Sequence, residues 1–168
     1  TLILTKLKDE FYDKIISTFS VVPSPSISNT VVEPYNCTLS VHKLLEFSGI
    51  TFCFDNEALF KITSDVMKEE KPNFNSLNTL ISSVMSGITC SLRFPGQLNQ
   101  DLKKLSVNMI PYPRLHFFSS SIAPLASALA MNYESLSVQE IVTQLFDRKN
   151  MMVDLDPANG KYLTTSCI

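Results

Sequence analysis

Apolar and polar residues follow two different periods along the first third of the chain. Leu4, Leu7 and Phe11 recur at helical spacing with charged residues between them, which predicts a helix at the start. Residues 15–22 are mostly apolar or β-branched, which predicts a buried strand. The same reasoning predicts a helix over about 34–47 and a strand over 50–54. Helices that alternate with short buried strands are typical of an α/β layer with a parallel sheet.

The most regular pattern lies in the middle of the chain. After a helix that Asp55 or Asn56 is expected to cap, apolar residues recur at helical spacing over 77–88, with serine and threonine rather than charged residues between them. This pattern predicts one continuous helix from Asn75 to about Leu92. Because few charges lie on any side of it, we expect the helix to be buried over most of its surface and to join two bodies of the protein.

Shorter elements are predicted towards the end of the chain. The pattern favours a helix over 101–109, a strand over 115–118 and the beginning of another strand over 162–168. Ser137, with Glu140 three residues later, is typical of a capping box in front of a helix with one apolar face. Because Thr1 is not an initiator methionine and the last strand has no turn after it, the chain is expected to be an internal piece of a longer protein.

Composition narrows the function classes. The chain has 45 % apolar and 18 % charged residues and a formal charge of −2, so it lacks the excess of basic residues that nucleic-acid binding needs. No apolar run approaches the ~20 residues of a membrane span, and no membrane association is expected. The cysteines do not form a CxxC pair, so reduced thiols are favoured over a zinc site: Cys37, Cys53, Cys90 and Cys167.

Several stretches, read in order, resemble the tubulin family. They are Thr-Phe-Ser-Val-Val-Pro-Ser-Pro at 18–25, Thr-Val-Val-Glu-Pro-Tyr-Asn at 30–36, Asp-Asn-Glu-Ala-Leu at 55–59, Arg-Phe-Pro-Gly-Gln-Leu-Asn at 93–99, Pro-Arg-Leu-His-Phe-Phe at 113–118 and Lys-Asn-Met-Met at 149–152. Together they extend over nearly the whole chain. Gln97 and Lys104 favour the β chains of the family over the α chains.

The resemblance implies a fold that agrees with the periodicity. Residues 1–74 would be the C-terminal part of a tubulin-type GTPase nucleotide-binding domain, in which helices cover a parallel sheet. Residues 75–93 would be a central core helix, and 94–168 the start of an α+β intermediate domain. The glycine-rich phosphate loop of the family is expected before Thr1, since none of the four glycines lies in a phosphate-binding cluster.

The resemblance also implies GTP as the cofactor, with Mg²⁺ ligands outside the 168 residues. Asn56 and Asn78 match the asparagines that read the guanine edge, and Phe74 stands in place of a tyrosine that stacks on the base. Glu33 matches the acid near the ribose, whereas Asn29 replaces a second, acidic residue there. From the residues alone, Asn56 is most simply a helix cap, Asn78 an exposed polar residue and Phe74 a core aromatic.

A second set of residues is implied at contacts with other subunits. Residues 97–104 match the segment that faces the nucleotide of a neighbouring subunit, so Lys104 would bring a positive charge to phosphates, with Gln97, Asn99 and Asp101 as polar neighbours. The alternative is that Lys104 lies on a solvated helix face. Tyr133 is retained in the lateral-contact segment, but Glu134 replaces an arginine, so lateral contact with other β chains is expected to weaken.

The resemblance implies a β-tubulin-like structural constituent of the microtubule cytoskeleton in the cytoplasm, which binds GTP and pairs with α-tubulin. The alternative is a relic tubulin chain that acts only as a binding module, without nucleotide binding or assembly. The family hydrolyses GTP. The 168-residue chain alone is expected to be inactive and to bind GTP weakly, because the phosphate loop and the metal-supporting acids would precede Thr1.

Overall fold

A computed structural model describes residues 2–24, 30–69, 71–96, 101–125 and 136–168. The first half of the chain alternates helices and strands as the periodicity predicts. The elements are α1 (Leu2–Glu10), β1 (Ser17–Val22), α2 (Glu33–Phe47), β2 (Ile50–Asp55) and α3 (Asn56–Lys61). A π-helical turn, Ile62–Val66, continues α3. The predicted order is therefore confirmed, with boundaries that differ by up to two residues.

The second half contains four more helices and one strand within the described ranges. They are α4 (Phe74–Ile88), α5 (Cys90–Arg93), α6 (Leu102–Met109), β3 (Phe117–Ser119) and α7 (Val138–Leu145), followed by the 3₁₀ turns Arg148–Asn150 and Pro157–Asn159. The capping box is present: the Ser137 hydroxyl accepts from the Glu140 amide, and the Glu140 carboxylate accepts from the Ser137 amide. Two orphan donors of α7 are thereby satisfied.

The strands form one parallel sheet in the order β1-β2-β3. A row of phenylalanines crosses it, because Phe19, Phe52 and Phe118 are register partners and their ring centroids lie 5.0 and 5.7 Å apart. Such cross-strand aromatic pairs stabilise the register of a sheet. The α/β fold class predicted from the sequence is confirmed.

Hydroxyl groups also connect β1 to β2 at the start of the two strands. The Thr18 hydroxyl donates to the Thr51 hydroxyl at 3.0 Å, Thr51 lies 3.0 Å from the Ser48 hydroxyl, and Ser48 donates to the Ile50 carbonyl at 2.8 Å. Thr51 and Ser48 are buried. We call Thr18, Ser48 and Thr51 the hydroxyl trio.

The core lies between one face of β2 and the helices that follow it. Its buried members come from β2, α3 with its π-helical turn, α4, α6 and the 151–152 segment: Ile50, Phe52, Phe54, Leu59, Ile62, Leu77, Leu80, Val84, Leu105 and Met152. The side chain of Met152 is fully buried, and its backbone is tied to the sheet because the Asp55 amide donates to the Met152 carbonyl at 2.8 Å.

The prediction of a single helix from Asn75 to Leu92 is wrong at its C-terminal end. α4 stops at Ile88, and Thr89 separates it from α5. Both the amide and the hydroxyl of Thr89 donate to the Met85 carbonyl, at 3.0 and 2.8 Å. The helix ends here because the backbone leaves helical angles at Thr89, with φ −88° and ψ 4°.

The prediction that this helix is buried on most of its surface is also wrong within the described chain. Leu77, Leu80 and Val84 are buried, but the opposite face is exposed. The Thr79 and Ser83 hydroxyls donate to the carbonyls four residues earlier, at 2.9 and 3.0 Å. Serine and threonine on a helix therefore satisfy themselves locally, so a shortage of charge does not require burial.

Two smaller predictions are also corrected. The helical period would place Thr38 on the same face of α2 as Val41, Leu44 and Leu45, but Thr38 is exposed and its hydroxyl donates to the Pro34 carbonyl at 2.8 Å. Residues 162–168 do not form a strand: Tyr162 packs against the ring of Phe146, and the Thr164 hydroxyl donates to the Met109 carbonyl at 2.7 Å. This segment is therefore held by side-chain contacts and not by the backbone hydrogen bonds of a strand.

β3 lies in the same sheet as β1 and β2, although it belongs to the 94–168 segment that was assigned to a second domain. It pairs with β2 through Thr51 and Phe117. The buried His116 beside it faces the Leu44 carbonyl of α2 at 3.2 Å. The division into 1–74, 75–93 and 94–168 stays a prediction.

Candidate functional site

An open cavity of about 1000 Å³ lies along β1, between that strand, α1 and α2. It extends past the carboxyl end of β1 to Ser24 and to the first residue of α3, Asn56. In α/β folds, ligands bind in the crevice outside the carboxyl ends of the strands. The position of this cavity therefore makes it the candidate ligand site.

Glu33 brings a negative charge to the cavity. It is the first residue of α2 and lies on the face of the helix that lines the cavity. Its Oε2 atom is buried and, among the residues that the structure describes, has no hydrogen-bond partner. A buried carboxylate oxygen without a donor is costly, and a ligand hydroxyl would remove that cost.

Asn56 lies on the same cavity, at the point where β2 passes into α3. Its neighbour Asp55 caps α3, since the Asp55 carboxylate accepts from the Glu57 amide at 3.0 Å. The interpretation of Asn56 as the helix cap is therefore wrong, and its amide is not used for capping. An amide that has both a donor and an acceptor suits the edge of a purine base.

Phe74 and Asn78 are not among the residues that line the cavity. Phe74 begins α4, is 66 % exposed, and makes an edge-to-face contact with Phe60 of α3 at 5.9 Å between ring centroids. Asn78 lies one turn later and is exposed. The structure thus unites Glu33 and Asn56, and places Phe74 beside α3. The interpretation of Phe74 as a core aromatic is wrong, because most of its surface is open to solvent.

The residues predicted at subunit contacts are described only in part. Asp101 caps α6, accepting from the Lys104 amide at 2.7 Å, and Lys104 is exposed in the first turn of that helix. The remaining predicted site residues lie outside the residues that the structure describes: Asn29, Gln97, Asn99 and Tyr133.

Sequence reasoning missed several polar residues that share the cavity with Glu33. Asn36, Cys37 and Ser40 lie on the same face of α2. Their spacing from Glu33, three, four and seven residues, is the spacing of one helix face, and it could have indicated them once Glu33 was chosen.

Charged residues surround the first turns of α3. Glu57 accepts from the buried Ser24 hydroxyl and forms an ion pair with Lys61 at 3.0 Å. Lys61 also pairs with Asp154 at 2.9 Å, and Asp154 pairs with Arg148 at 2.7 Å. The hydrogen bond from Arg148, with that from Lys61, holds the pKa of Asp154 below its usual range.

Burial raises the pKa of two groups of β2, whereas the pKa of Asp154 is lowered. Burial raises the pKa of Asp55, and the nearby carboxylates of Glu57 and Asp154 add to that rise, while the hydrogen bond from the Glu57 amide opposes it. Burial also raises the pKa of the Cys53 thiol, so Cys53 is a poor nucleophile. Neither group lines the cavity.

Within the described ranges, no group of three or more histidine, cysteine, aspartate or glutamate side chains is arranged to hold a metal ion. Of the helices that the structure describes, none combines the length and the apolar character that crossing a membrane requires.

Comparison with known proteins gives two family matches. The model of the Tubulin/FtsZ family GTPase domain matches residues 1–64, and that of the tubulin C-terminal domain matches residues 113–168. The cavity, Glu33 and Asn56 lie within the first match.

Individual relatives agree with these matches. The chain is 57 % identical over 166 residues to the tubulin beta-1 chain of Chondrus crispus. The alignment covers 99 % of this chain and 37 % of the relative. It is 55 % identical to the tubulin beta-3 chain of Echinococcus multilocularis, over 100 % of this chain and 38 % of the relative, and 55 % identical to the tubulin beta chain of Candida albicans, over 99 % and 37 %. The chain thus spans somewhat more than a third of the length of these curated relatives. On the two domain matches and on β-chain relatives that align along its whole length, the chain belongs to the tubulin family.

Proposed function

We propose that this chain contributes the base and ribose side of a guanine-nucleotide site in a β-tubulin-like subunit of the microtubule cytoskeleton. The observation that carries the proposal is the unpartnered Glu33 carboxylate oxygen on the same cavity as Asn56, at the carboxyl end of β1. That cavity lies in the segment that matches the GTPase domain.

The residues divide the work of binding between them. Glu33 accepts hydrogen bonds from ribose hydroxyls, and its charge makes those bonds about twice as strong as bonds to a neutral acceptor. Asn56 binds the polar edge of guanine through its amide. Phe74 and Asn78 do not line the cavity, so their part in the proposal rests on the family resemblance. Phe74, exposed beside α3, would stack on the base with ~1 to 3 kcal/mol, and Asn78 lies one helical turn from it. GTP supplies the phosphoanhydride whose hydrolysis the family uses.

Contact with a second subunit is part of the same proposal. Lys104 is exposed in the first turn of α6. It would meet the phosphates bound to α-tubulin in a protofilament, and the expected location is the cytoskeleton of the cytoplasm. Lateral contact with other β chains through Tyr133 is proposed to be weakened, because Glu134 replaces an arginine in that segment.

Nucleotide titration of the ¹⁵N-labelled chain tests the binding. Base and sugar contacts alone give about 4 kcal/mol, which is a millimolar dissociation constant, so NMR is the suitable method. We expect GTP and GDP to shift the Asn56 side-chain amide and the first turn of α2, and ATP to leave them unchanged.

Glu33→Gln is the decisive variant, because it keeps the shape of the side chain and removes its charge. Losing about 1.4 kcal/mol of charge assistance weakens guanine-nucleotide binding about tenfold. Glu46→Gln, at the other end of α2 and off the cavity, is the matched control and should bind like the unmodified chain. Equal shifts with ATP, or equal affinities of the two variants, would contradict the proposal.

A further inference from the structure

A continuous series of polar contacts leads from the cavity to the far end of the chain. Ser24 donates to Glu57, Glu57 pairs with Lys61, Lys61 pairs with Asp154, and Asp154 pairs with Arg148. The charges of the last four alternate in sign. We call these five residues the polar series. It begins in the segment that matches the GTPase domain and ends in the segment that matches the tubulin C-terminal domain.

The cavity end of the series contacts the candidate site directly. Ser24 lines the cavity and is only 7 % exposed. Glu57 follows Asn56 in the first turn of α3, so the two backbones move together. One carboxylate oxygen of Glu57 holds Ser24 and the other holds Lys61. A displacement of Glu57 therefore moves a wall of the cavity and the residue proposed to read the base.

The other end of the series is held by a backbone hydrogen bond near the point where β2 passes into α3. The Asp55 amide donates to the Met152 carbonyl at 2.8 Å, so the segment 148–154 lies against the end of β2. A cleft of about 150 Å³ remains between this segment and α3, lined by Lys61, Arg148 and Asp154. The ion pairs across this cleft decide how closely the segment and α3 approach.

The ion pairs are placed to balance a local excess of carboxylates. Asp55, Glu57 and Asp154 lie close enough that the charges of the latter two disfavour ionisation of Asp55. Lys61 pairs with both Glu57 and Asp154. Without Lys61 these carboxylates repel one another, and Glu57 loses the ion pair at 3.0 Å that helps to keep it towards Ser24.

We propose that Lys61 and Asp154 are positioning residues for the cavity, so that the segment 148–154 tunes guanine-nucleotide affinity through Glu57, Ser24 and Asn56. This inference rests on the proposed function of the cavity. The regulation it describes couples two parts of the chain that match different family domains.

A double-mutant cycle on the full 168-residue chain tests the coupling. The variants are Lys61→Met, Asp154→Asn and the pair together, with Lys61→Arg as the conservative variant. Lys43→Met, which removes the exposed ion pair with Glu46 on α2, is the matched control. The measurements are the NMR shifts of the Asn56 side-chain amide and the Ser24 backbone amide, and the dissociation constant for GDP.

Each single variant is expected to shift both resonances and to weaken GDP binding about threefold, a size typical of coupling through side-chain networks. The pair together should do no more than the larger single variant, since both remove the same link. Lys61→Arg should restore the resonances and the affinity, and Lys43→Met should leave them unchanged.

Different outcomes separate the two proposals. Failure of the unmodified chain to bind GDP would refute the proposed function, and the positioning role would then be decided by the Asn56 and Ser24 resonances alone. Variants that lower stability but leave those resonances in place, or effects of the two substitutions that simply add, would overturn the inference.

Discussion

Leu77→Ala tests whether α4 is held by one face only. Leu77 is 1 % exposed and lies in the core with residues of β2, α3 and α6. Replacing a buried leucine by alanine removes apolar contacts and leaves a cavity, which costs ~2 to 5 kcal/mol. Because the site belongs to a cluster of large side chains that cannot collapse easily, we expect about 3 kcal/mol. A domain of this size has a free energy of unfolding of ~5 to 15 kcal/mol, so the loss is a substantial fraction.

Ser82→Ala is the matched control on the same helix, because Ser82 is exposed and alanine favours a helix. Its effect should stay within about 0.5 kcal/mol. Both variants are measured by urea unfolding followed by circular dichroism, with the slope of the transition compared between them. A loss below about 1 kcal/mol for Leu77→Ala, or a loss at Ser82 as large as at Leu77, would refute the one-faced packing of α4.

Two further predictions concern charge and capping. The lowered pKa of Asp154 means that its stabilising effect is complete above the pKa of the unfolded chain and is lost as the pH falls through the folded value. The difference in unfolding free energy between the unmodified chain and Asp154→Asn should therefore shrink on acidification. The raised pKa of Asp55 acts with the opposite sign, and its effect is smaller in the variant because the Asp154 charge contributes to it. A difference in unfolding free energy that grows in acid would contradict the assignment. Ser137→Ala removes the cap of α7 and should cost ~1 kcal/mol in urea unfolding, while Ser137→Asp, which can also cap, should cost much less.

The fold was predictable where local pattern and burial agree. The strand at 50–54 and the capping box at Ser137 were found because the pattern of a buried strand and the chemistry of a cap are properties of neighbouring residues. The C-terminal end of α4 was not, because the backbone leaves helical angles at Thr89 in a sequence that continues the apolar period. The strand predicted over 162–168 failed for a different reason: its neighbours in space are Phe146 and Met109, and no local pattern contains them.

The candidate site was likewise predictable only in part. Glu33 and Asn56 were identified through the family resemblance, and the structure brings both to one cavity. Capping by Asp55 in place of Asn56 depends on backbone angles that two adjacent polar residues do not reveal. The contact between Lys61 and Asp154 joins residues 93 positions apart, so only the packing of the 148–154 segment against α3 makes it visible.

The hydroxyl trio has a consequence for how this sequence can change. The Ser48 hydroxyl donates its hydrogen to the Ile50 carbonyl, so in the contact between Ser48 and Thr51 the donor is Thr51. Thr18 in turn donates to Thr51, and each hydroxyl therefore relies on the next. Replacing Thr51 alone by valine would remove the central hydroxyl. Ser48 and Thr18 would be left with longer contacts, 3.4 Å to each other and 3.5 Å from the Thr18 hydroxyl to the Ile50 carbonyl, and weakly paired buried groups are costly. Replacing all three together by apolar residues of similar shape is close to neutral. The three positions are therefore epistatic. Single replacements that selection would remove are tolerated when all three positions change together, so related chains should differ here by joint replacement.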